Sequence, residues 1–236
     1  SFISGIYLFL FINKELTPKF HLFNFRNSIK SLKVGFSFFL LQIFSFFNLS
    51  IDNILISKFE LVSNVPQFDL TKKIFSLTLL LSYFITPMWP AFADALENKD
   101  YEWAKKYLYR ILKIFIIITS SVSAILVVFN KSIFHLWMGR EFNLPLHLLV
   151  SFFIFSIIST FGGVMSSFFS SSFFLKKQLT YVFLATLGTF ILKIIFIKYL
   201  NSQFLMWANN ISFLVFFIIP SLKLTKNYFQ NVQTKC

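Results

Sequence analysis

Polar side chains interrupt an apolar run at residues 34–57, and their types suit the handling of a polar or charged ligand. These side chains are Gln42, Ser45, Asn48, Asp52 and Asn53. The first four recur every three or four residues, which predicts a shared helical face. Within a membrane helix a carboxylate costs about 2.5–3.5 kcal/mol on translocon-type scales, so Asp52 is expected to face a wet cavity or a partner. We therefore predict that Gln42, Asn48, Asp52 and Asn53 line a substrate lumen.

A second embedded charge, Lys193, lies in the apolar run at residues 179–199. Lys193 and Asp52 each lie about six residues, or about 9 Å, from the outer end of an outward-running helix, which predicts a common layer. The two charges can pair there, or Lys193 can extend its stem to the outer interface. In the functional interpretation Lys193 lines the lumen as a point charge. Alternatively, Asp52 reaches water or pairs with Lys58.

Composition indicates an integral membrane protein. The chain is 56% hydrophobic, its mean hydropathy is +0.72, and only 13% of its residues are charged, about half the share in an ordinary soluble domain. One soluble core could not bury so much apolar surface. The net charge is +13, but the basic residues are scattered between apolar runs rather than gathered on one face, so no nucleic-acid partner is predicted.

The apolar runs predict an all-α fold, a polytopic membrane helix bundle. Six runs are long enough, or nearly so, to cross a hydrocarbon layer of about 30 Å. They cover residues 34–57, 74–93, 111–129, 146–169, 179–199 and 204–220. Residues 1–13 are apolar but too short to span and are expected to be a partial helix, so the chain is expected to begin inside a longer protein. The prediction is six full transmembrane helices plus one partial N-terminal helix.

Charge predicts the orientation. With the segment at residues 14–33 placed inside, the inner segments hold 15 of the 22 Lys and Arg residues, which places the C-terminal tail, residues 221–236, in the cytoplasm. Residues 94–110 mix both signs of charge with aromatic residues and are expected to form a short interfacial helix. Trp103 and Tyr107, four residues apart, are expected to face the bilayer from it.

A proline-containing break ends the second predicted span. Pro87 and Pro90 enclose Trp89, and each proline removes a backbone donor, so we expect a kink that could serve in gating. Discontinuous helices around a polar midplane are common in secondary transporters.

Motifs for catalysis are absent from the sequence. It contains no phosphate loop and no dinucleotide fingerprint. The three histidines lie in or beside connectors without zinc-ligand spacing, and the one cysteine, Cys236, is terminal. We predict no catalytic residue, no metal site and no cofactor, and we do not expect an enzyme.

The break also carries a resemblance to a known family. The run PMWPAFADAL at residues 87–96, followed by Asp100, Trp103 and Arg110, resembles the signature after the eighth membrane helix of bacterial polysaccharide flippases. These are the O-antigen and teichoic-acid exporters of the multidrug and toxin extrusion-like superfamily. Their fold has two six-helix lobes. The resemblance implies that residues 34–220 form the C-terminal lobe and that residues 14–33 form the cytoplasmic inter-lobe linker, although an ordinary loop with a basic face remains the alternative.

The same resemblance implies a function. Such proteins move an undecaprenyl-diphosphate-linked oligosaccharide across the bacterial cytoplasmic (inner) membrane by alternating access in polysaccharide (O-antigen, lipopolysaccharide) biosynthesis. The expected partners are the lipid-linked oligosaccharide, the lipid bilayer and other polysaccharide assembly proteins. Two alternatives stay open: a multidrug or cation antiporter of the same superfamily, and a non-transporting membrane assembly subunit whose polar residues only hold helices together.

Overall fold

The computed structural model describes residues 25–59, 65–139, 143–171 and 174–233, and these are helical, with short turns and no strand. The chain divides into two compact units, Ser1–Phe39 and Leu40–Cys236. The described part of the first unit is the start of a helix. The second unit holds the helices considered below.

Ten α-helices follow one another in the described residues. They are α1 (Phe25–Phe59), α2 (Val65–Phe75), α3 (Ser82–Ile85), α4 (Met88–Glu97), α5 (Tyr101–Val128), α6 (Asn130–Met138), α7 (Leu146–Ser170), α8 (Leu175–Tyr199), α9 (Leu205–Phe213) and α10 (Ile219–Gln233). Two 3₁₀ segments, Ser76–Leu81 and Ser202–Phe204, precede α3 and α9, and a π segment, Leu214–Ile218, joins α9 to α10.

The predicted all-α membrane bundle is confirmed. Within the described residues six helical segments are long and apolar enough to cross a membrane. They are Ser31–Phe59, Gln67–Glu97, Tyr101–Val128, Leu146–Ser170, Leu175–Tyr199 and Ser202–Val232. The chain is therefore a multi-pass membrane protein. The partial helix predicted at residues 1–13 lies outside the described residues.

Several helix boundaries differ from the prediction. Helix α1 is already helical at Phe25, so it includes the last residues of the segment assigned to a linker, whose first residues lie outside the described part. At the other end, α10 continues to Gln233 through much of the predicted tail. Both extensions are more polar than the spans that they continue. The predicted ends followed the apolar runs, but a helix can continue beyond the length needed to cross the hydrocarbon layer.

The second span is more broken than the prolines alone predict. It changes from α-helix to 3₁₀ helix at Ser76–Leu81, and it is interrupted between Ile85 and Met88. Pro87 is the N-cap residue of α4. Pro90 falls in the first turn of α4, where a backbone N–H has no intrahelical acceptor, so it removes no internal hydrogen bond. The interruption is thus at Pro87, and Pro90 is compatible with the helix that follows.

The prediction of one short interfacial helix over residues 94–110 is wrong. Helix α4 ends with Asn98 as its C-cap, and Lys99 takes a left-handed conformation with φ 58°. Asp100 then caps a new helix, its Oδ1 accepting a 3.0 Å hydrogen bond from the backbone N–H of Trp103. Residues from Tyr101 onward belong to α5, because this cap and the acidic first turn favour a helix start at that point.

The buried apolar side chains form two clusters within the described part of the second unit. One joins α4, α5, α7 and α10 around Phe92, Leu108 and Phe168. The other joins α1, α2, α6 and α7 around Ile56 and Phe152. Helix α7 contributes to both clusters and is the central helix, with 56% of its most apolar stretch buried. The candidate site lies beside it.

Candidate functional site

The site is built around a buried ion pair between two membrane helices. Nζ of Lys193 on α8 lies 2.6 Å from Oδ1 of Asp52 on α1, and both side chains are at most 2% exposed. Nζ of Lys72, on α2, lies 3.7 Å from the other carboxylate oxygen and is partly exposed. Three helices therefore meet at one carboxylate. The mutual attraction of these charges offsets part of the large cost of removing each from water.

A hydrogen-bond network extends the pair along α1 and α8. Lys193 Nζ donates to the backbone carbonyl of Asn48 at 3.0 Å. The Asn48 amide donates to Thr186 Oγ1 at 2.8 Å and to the Phe44 carbonyl at 2.9 Å. Thr186 in turn donates to the Val182 carbonyl. Asn48 thus uses its side chain and its backbone to hold α8, which fixes the position of the ammonium.

The charge balance of this group is positive. One carboxylate, Asp52, faces two ammonium groups, those of Lys193 and Lys72, so the three side chains carry a net charge of +1 when all are ionised. Lys193 has three N–H donors and two acceptors within the described part of the chain, Asp52 and the Asn48 carbonyl. The remaining donor capacity, together with the excess positive charge, suits an anion or a water molecule.

A cavity of about 290 Å³ adjoins the ion pair. Residues of α1, α7, α8, α9, the 3₁₀ segment Ser76–Leu81 and the π segment line it. Its polar lining residues are Ser45, Asn48, Asp52, Ser159, Ser166, Lys193 and Asn209. Its remaining wall is apolar or glycine, including Phe155, Phe213 and Phe217. A ligand in this cavity would therefore contact the charged pair at one place and hydrocarbon or aromatic side chains elsewhere.

The structure brings together three of the predicted lumen residues. Asn48, Asp52 and Lys193 all line the cavity, and the prediction that Asp52 and Lys193 share a layer is confirmed by their contact. Lys193 does not extend to the interface, because it is 1% exposed. The alternative pairing of Asp52 with Lys58 does not occur.

Gln42 and Asn53 do not reach the cavity. Gln42 is exposed, and the exposed Asn53 donates to Asp69 at 3.5 Å. The reason is geometric. At 3.6 residues per turn, two successive steps of three residues rotate Gln42 about 120° away from Asn48, and Asn53 lies about 100° around the helix from Asp52. The break residues Pro87, Trp89 and Pro90 are also exposed and do not line this cavity.

Sequence reasoning missed three contributors to the site. Lys72 lies outside the predicted apolar run at residues 74–93, but the helical span begins at Gln67, so α2 carries Lys72 into it. Thr186 precedes Lys193 by two helical turns on α8. This spacing along the sequence could have predicted that the two residues share a face. Asn209 lines the cavity from α9, whereas its neighbour Asn210 donates to the Ser151 carbonyl at 2.8 Å and holds α9 to α7.

Other buried polar pairs connect helices without a cavity. Thr119 and Thr160 are hydrogen-bonded at 2.9 Å between α5 and α7, and Thr78 donates to Ser156 at 3.1 Å. Such pairs are typical of helix contacts in membranes. They contain no charge, which distinguishes them from the group around Asp52.

Comparison of the chain with protein-family models, with curated proteins and with solved structures finds no match. The site geometry therefore stands as the physical basis for a functional hypothesis.

Proposed function

We propose that this chain is the second lobe of a bacterial flippase for a lipid-linked oligosaccharide, a cargo that carries a diphosphate. The observation that carries the proposal is the buried Asp52–Lys193 pair with Lys72 beside a cavity between membrane helices. Charged residues within membrane spans are costly, and they commonly mark a substrate or ion pathway. The resemblance of residues 87–96 to the flippase signature supports the same class.

The sign of the charge favours an anionic cargo. Asp52 and Lys193 line the cavity. Lys72 is outside the lining but adds a second ammonium group at the same carboxylate, so the three side chains together place net positive charge beside an approaching diphosphate. Asp52 neutralises part of that charge, which keeps the site from retaining the anion too tightly for release. A multidrug or cation antiporter would be favoured by an acidic cavity, and the lining here contains one carboxylate that two ammonium groups already share.

The breaks in the second span support a transport mechanism in which α2 moves. The 3₁₀ segment Ser76–Leu81 and the interruption at Pro87 divide the helix that carries Lys72. Such discontinuities are places where segments of a helix can change their relative angle. A motion of α2 about this 3₁₀ segment would change the distance from Lys72 to Asp52, and with it the charge presented to the cavity.

The remaining candidate is a non-transporting assembly subunit, and the neutral pairs such as Thr119–Thr160 are the observation in its favour. The test uses the complete protein in cells that lack any other flippase. We expect Asp52→Asn to abolish or strongly reduce glycan export at a normal protein level in the membrane.

The matched control is Asp69→Asn, because Asp69 forms a more exposed ion pair with Lys73 at 3.1 Å. Export should be unchanged in this variant. Wild-type export by Asp52→Asn would reject a transport role for the ion pair and leave it a structural one. Absence of export by the wild-type protein in the same cells would favour the non-transporting assembly subunit.

A further inference from the structure

The cavity beside the ion pair has a mainly apolar wall. Phe155 and Ile158 of α7, Phe213 of α9 and Phe217 of the π segment contribute to it. Gly162 lies opposite Phe217 in this wall, and a Cβ atom on this glycine would be in van der Waals contact with the Phe217 ring at 3.6 Å. The charged atoms lie at one place in the wall, where Lys193 Nζ is 2.6 Å from Asp52 Oδ1, so an apolar group can occupy the rest of the cavity in contact with apolar side chains.

The size of the cavity suits a segment of hydrocarbon chain. Its volume is about 290 Å³. An apolar cavity of about 150 Å³ is enough to bind benzene in a soluble protein. The space beside Gly162 is roughly twice as large, so it can hold several methylene groups or isoprene carbons in contact with aromatic side chains.

The cavity opens at the surface of the described bundle. Ser45 on α1 and Leu79 on the 3₁₀ segment both line it, and both are exposed, which locates a mouth between these two elements. Large apolar side chains are exposed on either side of this mouth, among them Phe46 at 72% and Leu80 at 53%. An exposed apolar surface of this kind on a multi-pass membrane protein suits contact with acyl chains.

Helix α1 forms one wall of this cavity, although few of the side chains in its most apolar stretch are buried. Only 6% of its most apolar stretch is buried, compared with 56% for α7. Near the cavity, polar contacts of Asn48 and Asp52 hold α1 to α8. These contacts keep the wall in place while the mouth beside Ser45 stays open to the bilayer.

We propose that the cavity binds the hydrocarbon chain of a membrane amphiphile, which enters from the bilayer between Ser45 and Leu79 and lies between Phe155 and Phe217. This proposal is independent of the proposed transport activity. The chain can belong to a bilayer phospholipid or to a polyprenyl phosphate, which share the same apolar chemistry.

Photo-crosslinking in lipid nanodiscs tests the proposal on the purified full chain. One sample contains a phosphatidylcholine with a diazirine in the middle of its acyl chain, and a second contains a polyprenyl phosphate with a diazirine in its chain. Labelled peptides are mapped by mass spectrometry. We expect the α7 and α9 peptides that contain Phe155 and Phe213 to be labelled more strongly than the lipid-facing side of α5, which contains Ile117 and Ile125, by at least one probe.

Two variants block the site in different ways. Gly162→Leu fills the cavity, and because it displaces about two methylene groups of the ligand, it should lower labelling of the cavity peptides roughly tenfold. Ser45→Trp should obstruct the mouth at an exposed position, so it tests access even if Gly162→Leu does not fold. The matched control is Gly35→Leu, at a position where a Cβ atom has no neighbour within 4 Å.

Labelling of the cavity by the phospholipid probe identifies a bilayer lipid, and labelling by the polyprenyl probe alone identifies an isoprenoid chain; both results support the proposal. Cavity peptides labelled no more than lipid-facing α5 by either probe would overturn it. Equal cavity labelling in the wild type, Gly162→Leu and Ser45→Trp would overturn it as well. Neither readout depends on glycan export, so failure of this proposal is distinct from failure of the proposed function.

Discussion

The ammonium of Lys193 lies 2.6 Å from the carboxylate of Asp52 in an ion pair, and the backbone carbonyl of Asn48 accepts a hydrogen bond from the same ammonium. The side chains of this pair are at most 2% exposed. The contact joins the first described membrane helix to the fifth. It is therefore both a structural link between helices and the charged end of the cavity.

Removal of the Lys193 ammonium should be strongly destabilising, whereas Asp52→Asn keeps an oxygen acceptor beside Lys193 and should be tolerated. We expect Lys193→Met to lower the free energy of unfolding by about 3–5 kcal/mol, because it leaves the Asp52 carboxylate buried without its nearest counter-charge. Unfolding can be followed by circular dichroism in mixed micelles during a titration with SDS. The double variant Asp52→Asn with Lys193→Met should recover most of the loss.

The control for this prediction is Lys73→Met. Lys73 also pairs with an aspartate, Asp69, but its side chain is 61% exposed, and such surface pairs contribute about 0–1 kcal/mol. Equal losses of stability in Lys193→Met and Lys73→Met would show that the buried pair has no special stabilising role.

Helix α8 crosses the last span closely at Gly188. A Cβ atom there would lie 2.5 Å from Ser212 Oγ and 2.9 Å from the Phe216 ring, and Ser212 is held by its hydrogen bond to the Ala185 carbonyl. We expect Gly188→Ala to destabilise the protein by about 1–3 kcal/mol, because an extra methyl group in a well-packed core forces its neighbours to shift. The same SDS titration measures this loss.

Gly35→Ala is the matched substitution, since a Cβ atom at Gly35 has no neighbour within 4 Å. Replacement of a helical glycine by alanine in open space should be neutral or should stabilise by up to about 1 kcal/mol. A stabilising Gly188→Ala would mean that α8 and the last span are not in close contact.

The connector between α4 and α5 contains a strained residue. Lys99 has φ 58°, while the backbone N–H of Asp100 donates to the Ala95 carbonyl at 2.8 Å, as in a Schellman motif. A left-handed conformation costs an L-residue about 1–2 kcal/mol, and Lys99→Gly removes this cost. Because glycine loses more chain entropy on folding, the net stabilisation should be at most about 1 kcal/mol. Thermal unfolding in detergent provides the measurement.

Lys106→Gly is the control, and it should destabilise the protein rather than stabilise it. Lys106 is exposed in the interior of α5, where glycine should cost about 1 kcal/mol. If both glycine substitutions destabilise equally, the left-handed turn at Lys99 is not present in the protein.

Topology can be tested at the connectors. Because basic residues concentrate on alternate connectors, we expect a reporter fused after Asn98 or at the C-terminus to report the cytoplasm and one fused after Asn201 to report the opposite side. A paired alkaline phosphatase and fluorescent-protein reporter distinguishes the two compartments. A signal from outside at Asn98 would reverse the predicted orientation.

The sequence alone determined the class of protein and the depth of its charges. Apolar runs of about 20 residues, low charge and a high mean hydropathy require a membrane bundle, since water could not solvate such a chain. Counting along those runs also placed Asp52 and Lys193 in one layer. That inference depends only on the rise per residue of a helix, which is nearly constant, and the contact between the two side chains confirms it.

Only the tertiary structure decided which side chains meet and which face lipid. In a membrane helix both the lipid side and the protein side are apolar, so periodicity does not identify the inner face, and it did not reveal that Gln42 and Asn53 turn outward. Lys72 reaches Asp52 because α1 and α2 contribute to the same buried apolar cluster, a relation between helices that no spacing along one helix contains. The cavity likewise combines residues of separate segments, such as Gly162 on α7 and Phe217 on the π segment, and only folding brings them together.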